Sequence, residues 1–184
     1  ESVEFEFKVS GAKAHTFPLH LRLPEWSKSV IVTVNGEAVA VTPVDGVVVL
    51  SRGWRSGDVV KVEFAADIVV NYWFDGGVSV ERGPLLYALK MEEKWERKDI
   101  EPELHTRYGK ECYEVTSPTK WNWGLTRASL KNVSEAFRLE RRDIDRTLYP
   151  WNLENAPLSI RVTARELLGW EANRGTAGPV AFFT

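Results

Sequence analysis

Apolar and polar residues alternate with a period of two through most of the first ninety positions, and short glycine-bearing turns interrupt the alternation at close intervals. Val3, Phe5, Phe7 and Val9 alternate with Glu4, Glu6 and Lys8, and Phe17, Leu19, Leu21 and Leu23 enclose His20 and Arg22. Such a period places one set of side chains on each face of a strand, so each run reads as a strand with one buried face. Pro24 closes the second run because it cannot donate to a ladder. Val30, Val32 and Val34 form the next strand, and Asn35-Gly36 supplies the two positive φ values of a type I′ hairpin turn before residues 37–41 return. Asp45-Gly46 turns into 47–50, and Ser56-Gly57-Asp58 turns into Val60, Val62 and Phe64, which alternate with Lys61 and Glu63. Residues 67–73, 78–81 and 85–89 add three strands, divided by Asp75-Gly76-Gly77 and by Gly83-Pro84. Roughly nine strands in about 90 residues are more than one open sheet usually holds. The spacing predicts an all-β fold: a two-sheet antiparallel β-sandwich, jelly-roll-like, with irregular or short helical insertions.

The pattern changes after Met91, which divides the chain into residues 1–91, carrying the main sandwich strands, and residues 92–184. The stretch 92–103 is charged and aperiodic and reads as a surface excursion or short helical turn. A strand is expected at 112–116, followed by a loop from Ser117-Pro118-Thr119 that carries Trp121, Asn122 and Trp123. Phe137, Leu139 and Ile144 do not settle on one helical face, which favours a strand at 135–141. Leu158, Ile160, Val162 and Ala164 alternate with Ser159, Arg161 and Thr163, so strand periodicity returns and the second part is expected to complete the same sandwich region.

The 184 residues suffice for a full core, and 43% hydrophobic residues with eight Trp, eight Phe and five Tyr place the chain among globular proteins. No apolar run approaches the ~18 residues of a membrane span, so no membrane partner is expected. A net charge of −2, with cations interleaved among acids as in Glu140-Arg141-Arg142-Asp143, provides no basic field for nucleic acid. Cys112 is the only cysteine. That excludes an internal disulfide and a multi-thiolate metal site, and a lone cysteine is expected to be a small buried hydrophobe. The chain starts at Glu1 and enters a strand pattern without a signal-peptide pattern, so it reads as a domain of a longer polypeptide whose compartment is open.

Four segments have a familiar order and spacing: Leu21-Arg22-Leu23-Pro24-Glu25-Trp26, Val32-Thr33-Val34-Asn35-Gly36, Trp54-Arg55-Ser56-Gly57-Asp58 and Glu81-Arg82-Gly83-Pro84-Leu85-Leu86-Tyr87-Ala88. They resemble the post-catalytic, C-terminal β-sandwich region of the β-L-arabinofuranosidase family, glycoside hydrolase family 127 and its bacterial relatives. Ser117-Pro118 followed by Trp121-Asn122-Trp123-Gly124-Leu125 resembles a further segment of those proteins. The resemblance implies an enzyme whose (α/α)6 catalytic barrel lies outside this chain. It also implies a cysteine nucleophile beside a zinc held by cysteines and a glutamate, all within that barrel. None of those positions maps here, and Cys112 matches no part of the metal site. The chain is therefore expected to be non-catalytic, with the missing barrel of the same polypeptide as its partner. As an alternative it is a stand-alone carbohydrate-binding module with an oligosaccharide as partner.

A glycosidase needs two carboxyl groups about 5 to 10 Å apart, one of them with a raised pKa. Asp143 and Asp145 are spaced to share one strand face, and Asp67 and Asp75 flank an aromatic segment. With 26 acids in the chain such coincidences are expected, and solvated charge is the favoured reading. His15, His20 and His105 have no metal-binding spacing, and no phosphate-cradling loop or nucleophile elbow occurs. No catalytic residue, metal or cofactor is expected. Asn132-Val133-Ser134 is a sequon, silent in a bacterial host.

Aromatic residues are the remaining functional signal, because an exposed indole can stack on the apolar face of a sugar or anchor a protein interface. Trp121, Asn122 and Trp123 in their polar loop, with Trp73 near Asp75 and Trp151 beside Asn152, are the candidates for carbohydrate or interdomain contact. Trp26, Trp54, Trp95 and Trp170 are expected to fill the sandwich or its ends.

Overall fold

A computed structural model describes residues 1–11, 13–143, 145 and 147–179, with Asp75 described by its backbone alone. Ile144 lies outside the described residues. The chain divides into two compact units, Glu1–Tyr87 and Ala88–Thr184.

Among its described residues the first unit holds nine strands: β1 Ser2–Glu6, β2 His15–Arg22, β3 Val30–Val34, β4 Glu37–Val39, β5 Val47–Trp54, β6 Val59–Phe64, β7 Ile68–Tyr72, β8 Val78–Arg82 and β9 Leu85–Tyr87. They form an antiparallel four-stranded sheet in the order β1-β6-β3-β4, a two-stranded sheet β2-β5 and a three-stranded sheet β7-β8-β9. The first two make the sandwich. Leu21, Val48, Leu50 and Trp54 from one sheet and Val32, Val34, Val60 and Val62 from the other form one buried core, as the alternation requires. Each such aliphatic side chain contributes about 1.5–3 kcal/mol by leaving water.

The turns follow their residues. Asn35 and Gly36 have φ of 53° and 84° between the paired residues Val34 and Glu37, which is the type I′ geometry expected. Asp45 and Gly46 repeat it at 50° and 73° between Val44 and Val47. Gly83, at φ 58°, and Pro84 link the paired residues Arg82 and Leu85; positive φ first, then proline, is the order of a type II′ turn. Pro18 sits inside β2, tolerated because β2 has only one hydrogen-bonded neighbour among the described residues. The third sheet is tied to the rest of its unit by a half-buried ion pair of 2.5 Å between Arg82 Nη1 and Glu1 Oε1, and Gly83 lies against the Trp26 ring.

The second unit is built from small pieces. A hairpin pairs β10 Lys94–Asp99 with β11 Glu111–Thr116, spanned by a helical turn α1 His105–Tyr108. β12 Trp123–Leu125 pairs with β15 Ala164–Glu166, β13 Arg138–Arg141 with β14 Leu158–Arg161, and β16 Ala172–Asn173 with β17 Thr176–Ala177. Helical turns α2 Arg127–Lys131 and α3 Val133–Ala136 precede β13, so the strand expected over 135–141 is confined to 138–141. Thr126 caps α2, its hydroxyl accepting from the Ser129 amide at 3.1 Å.

Three expectations are corrected here. The charged stretch 92–103 lies on the surface and ends in a helical turn at Pro102, as expected, but its central half, Lys94–Asp99, is strand: Arg97 pairs with Glu111 and Lys98 with Glu114 across the ladder, and the Trp95 and Tyr113 rings meet edge-on at 5.9 Å. Every residue of β10 and β11 is exposed, so no one-sided apolar period exists to announce the hairpin. Cys112 lies in that hairpin and is exposed rather than buried. Trp95 is likewise 60% exposed and fills no core.

Candidate functional site

The expected aromatic residues fall at three separate places. Trp73 stands at the tip of the β7–β8 hairpin, whose last turn is closed by the Trp73 amide donating to the Gly77 carbonyl at 2.8 Å. Register places Asn71 opposite Ser79 and Val69 opposite Glu81, with Leu86 of β9 beside Glu81, so these side chains share a face with Trp73. Trp73 Nε1 donates to Ser79 Oγ at 3.1 Å, and that hydroxyl donates to Glu81 Oε1 at 3.0 Å. Asn71 Nδ2 donates to the same carboxylate oxygen at 2.9 Å. The indole is thus held in orientation while remaining 60% exposed, flanked by Tyr72 at 65% and Phe74 at 86%. The aromatic residue was legible in the sequence; Asn71, Ser79 and Glu81 were missed. Their signal was the Asn-x-Trp and Ser-x-Glu spacing, which a period of two places on one face.

The Trp121–Trp123 segment is fastened by local bonds. Trp121 is half-buried and meets the Trp170 ring at 4.8 Å. Asn122 is bonded to Leu167 twice: its side chain donates to the Leu167 carbonyl at 3.0 Å and its carbonyl accepts from the Leu167 amide at 2.8 Å. Trp123 opens β12, donates from Nε1 to the Lys120 carbonyl at 3.0 Å and is 39% exposed. Trp151 is 67% exposed on a loop that also carries Tyr149 at 68%. The loop is fastened at its base by Arg142, whose guanidinium donates to the carbonyls of Ala156 at 2.7 Å and Leu153 at 3.3 Å.

Several of the acids and histidines are engaged in local bonds. Asp145 is not on a strand with Asp143; its carboxylate accepts from the amide and hydroxyl of Thr147, and these bonds hold its pKa below the usual carboxylate value. Asp67 pairs with Lys28 at 3.8 Å, and the side chain of Asp75 lies outside what is described. Asp58 is also lowered, first by the hydrogen bond from Asn35 and then by the Arg55 amide, and Glu63 is lowered by its bond to Lys61. These shifts run opposite to those of a general acid. His15 and His105 each meet a backbone carbonyl, of Ser10 at 3.2 Å and of Ile100 at 2.6 Å. Among the described residues no group of three or more His, Cys, Asp or Glu is gathered so as to hold a metal ion.

Several solved structures resemble the chain. A GH127 β-L-arabinofuranosidase from Geobacillus stearothermophilus T6 aligns over 86% of this chain and 20% of its own, at 24% identity and a TM-score of 0.48. A glycoside hydrolase aligns over 96% and 29%, at 18% identity and 0.43, and a GH127 β-arabinofuranosidase over 68% and 24%, at 21% and 0.39. The chain thus spans less than a third of the length of each of these proteins. No curated protein matches it. Residues 1–66, which contain β1 to β6, match the family model described as β-L-arabinofuranosidase, GH127 middle domain, whereas the sequence resemblance implied a C-terminal region.

Proposed function

We propose that this chain is a non-catalytic β-sandwich region of a glycoside hydrolase similar to family 127, supporting an (α/α)6 catalytic barrel carried elsewhere in the same polypeptide. The match of residues 1–66 to the middle domain of that family carries this reading. The whole protein would act on arabinofuranosides or related sugars, and this region would buttress the barrel and shape the rim of its sugar site. The lowered pKa values of Asp58, Glu63 and Asp145 fit a domain whose carboxylates serve turns and surface pairs. The test is reconstitution: the chain is mixed with a family 127 barrel produced without its own sandwich. The expected result is association with a rise in the barrel's thermal midpoint and its turnover of an aryl β-L-arabinofuranoside. No association and no rise would overturn the scaffold role.

A second reading, an independent carbohydrate-binding module, is favoured by one observation: Trp73 is exposed yet fixed in orientation by Ser79. Titration of the chain with a panel of arabinose-containing glycans tests it, with measurable binding expected and a flat titration across the panel counting against it.

A further inference from the structure

The hydrogen bonds on the β7–β8–β9 sheet have a direction, and that direction describes a ligand. Indole nitrogen has a single donor, which Trp73 gives to Ser79; the Ser79 hydroxyl has a single proton, which it gives to Glu81. Asn71 adds an amide proton to the same oxygen, Glu81 Oε1. Among the described residues, Glu81 Oε2 and Asn71 Oδ1 accept no hydrogen bond. The face therefore presents a fixed aromatic ring beside two acceptor oxygens, with Val69 at 42% and Leu86 at 70% exposure adding apolar surface.

A molecule complementary to this arrangement has an apolar face for the indole and a rim of hydroxyl donors for Glu81 and Asn71. A neutral sugar has both. An anionic ligand meets the Glu81 carboxylate as a like charge, which opposes binding. From Trp73 to Val69 the strand runs four residues, about 13 Å at the usual rise, long enough for a short oligosaccharide. Holding the ring and the acceptors in place before binding lowers the ordering cost that weakens contacts made by mobile side chains.

We propose that this face of the sheet is a neutral-oligosaccharide binding site in which Trp73 is the stacking platform and Glu81 and Asn71 accept from sugar hydroxyls. The proposal rests on the second reading above and is independent of the scaffold role. Its test is calorimetric titration of the intact chain and its variants. The probes are arabino-, xylo- and cello-oligosaccharides, with oligogalacturonate as the anionic arm. The expected result is binding of at least one neutral series, weakened about tenfold or more by Trp73→Ala, about 1.4 kcal/mol, and unchanged by Trp95→Ala. Glu81→Gln is expected to weaken neutral binding and to narrow the preference over oligogalacturonate. Should Trp73→Ala fail to fold, the indole N–H resonance of Trp73 in the wild-type chain is followed during titration, and a shift with the neutral sugar is expected. Absence of binding by every neutral series would overturn both this site and the carbohydrate-module reading. Binding that persists in Trp73→Ala, leaves the Trp73 resonance unmoved or favours oligogalacturonate would overturn this site alone.

Discussion

Replacing Trp54 with alanine is expected to remove a large part, from about a third upward, of the stability of the first unit. The residue is fully buried, its ring stacks on Phe7 with centroids 4.5 Å apart, and Phe17 lies 6.1 Å away. Its Nε1 donates to the Phe17 carbonyl at 3.1 Å, and the Arg52 guanidinium sits 5.2 Å over the ring. Truncating a buried Trp to Ala costs about 3–5 kcal/mol through lost burial and the cavity left behind. The stacking and the hydrogen bond are already partly contained in that range, so they are not added to it. A unit of about 90 residues has a typical stability of roughly 4–13 kcal/mol, which makes a loss of about 4 kcal/mol severe. Trp54→Phe retains a ring against Phe7 but not the donor, and is expected to cost about 1–2 kcal/mol. Urea unfolding followed by far-UV circular dichroism measures both, with the change in midpoint converted through the wild-type slope. A Trp54→Ala cost under about 1 kcal/mol, or equal costs for the two variants, would refute the view that this ring and its donor anchor the sandwich.

Three further outcomes are expected. Asp58 accepts from Asn35 and the Arg55 amide, which lowers its folded pKa. Its contribution is therefore complete above the unfolded carboxylate value near 4 and lost as pH falls through the lower folded value. Asp58→Ala should accordingly lie below wild type in urea midpoint at pH 7, and the gap should narrow as pH falls below that unfolded value; a gap that widens in acid would contradict the assignment. Gly83→Ala adds a methyl group at φ 58° that would meet Ala66 Cβ at an ordinary 3.5 Å, so the cost is conformational and about 1 kcal/mol by denaturant titration. Cys112 is exposed and should react with a thiol reagent at one equivalent per native chain; labelling that appears only on unfolding would show the hairpin to be covered.

Legibility followed burial. β3 could be read directly because Val30, Val32 and Val34 face one core and Asn35-Gly36 dictates the turn, both local signals. β10 and β11 gave no such signal, since Lys94–Asp99 and Glu111–Thr116 are wetted on both faces and cohere through cross-strand pairs that exist only once register is fixed. Cys112 was misplaced for the same reason: a small apolar residue is usually buried, but its strand is not. At the candidate site Trp73 stood out as an aromatic beside a turn, while Ser79 and Glu81 gained meaning only when the hairpin set them beside it. Trp121 looked equivalent to Trp123 in sequence, yet its ring packs on Trp170, a partner 49 positions away that no local pattern announces.

The most direct test of a non-catalytic role is hydrolysis of an aryl β-L-arabinofuranoside by the purified 184-residue chain alone. The expected result is no release of the aryl group above the buffer blank across pH 4–8. Saturable turnover that a single carboxylate substitution abolishes would contradict it and place a catalytic site within this chain.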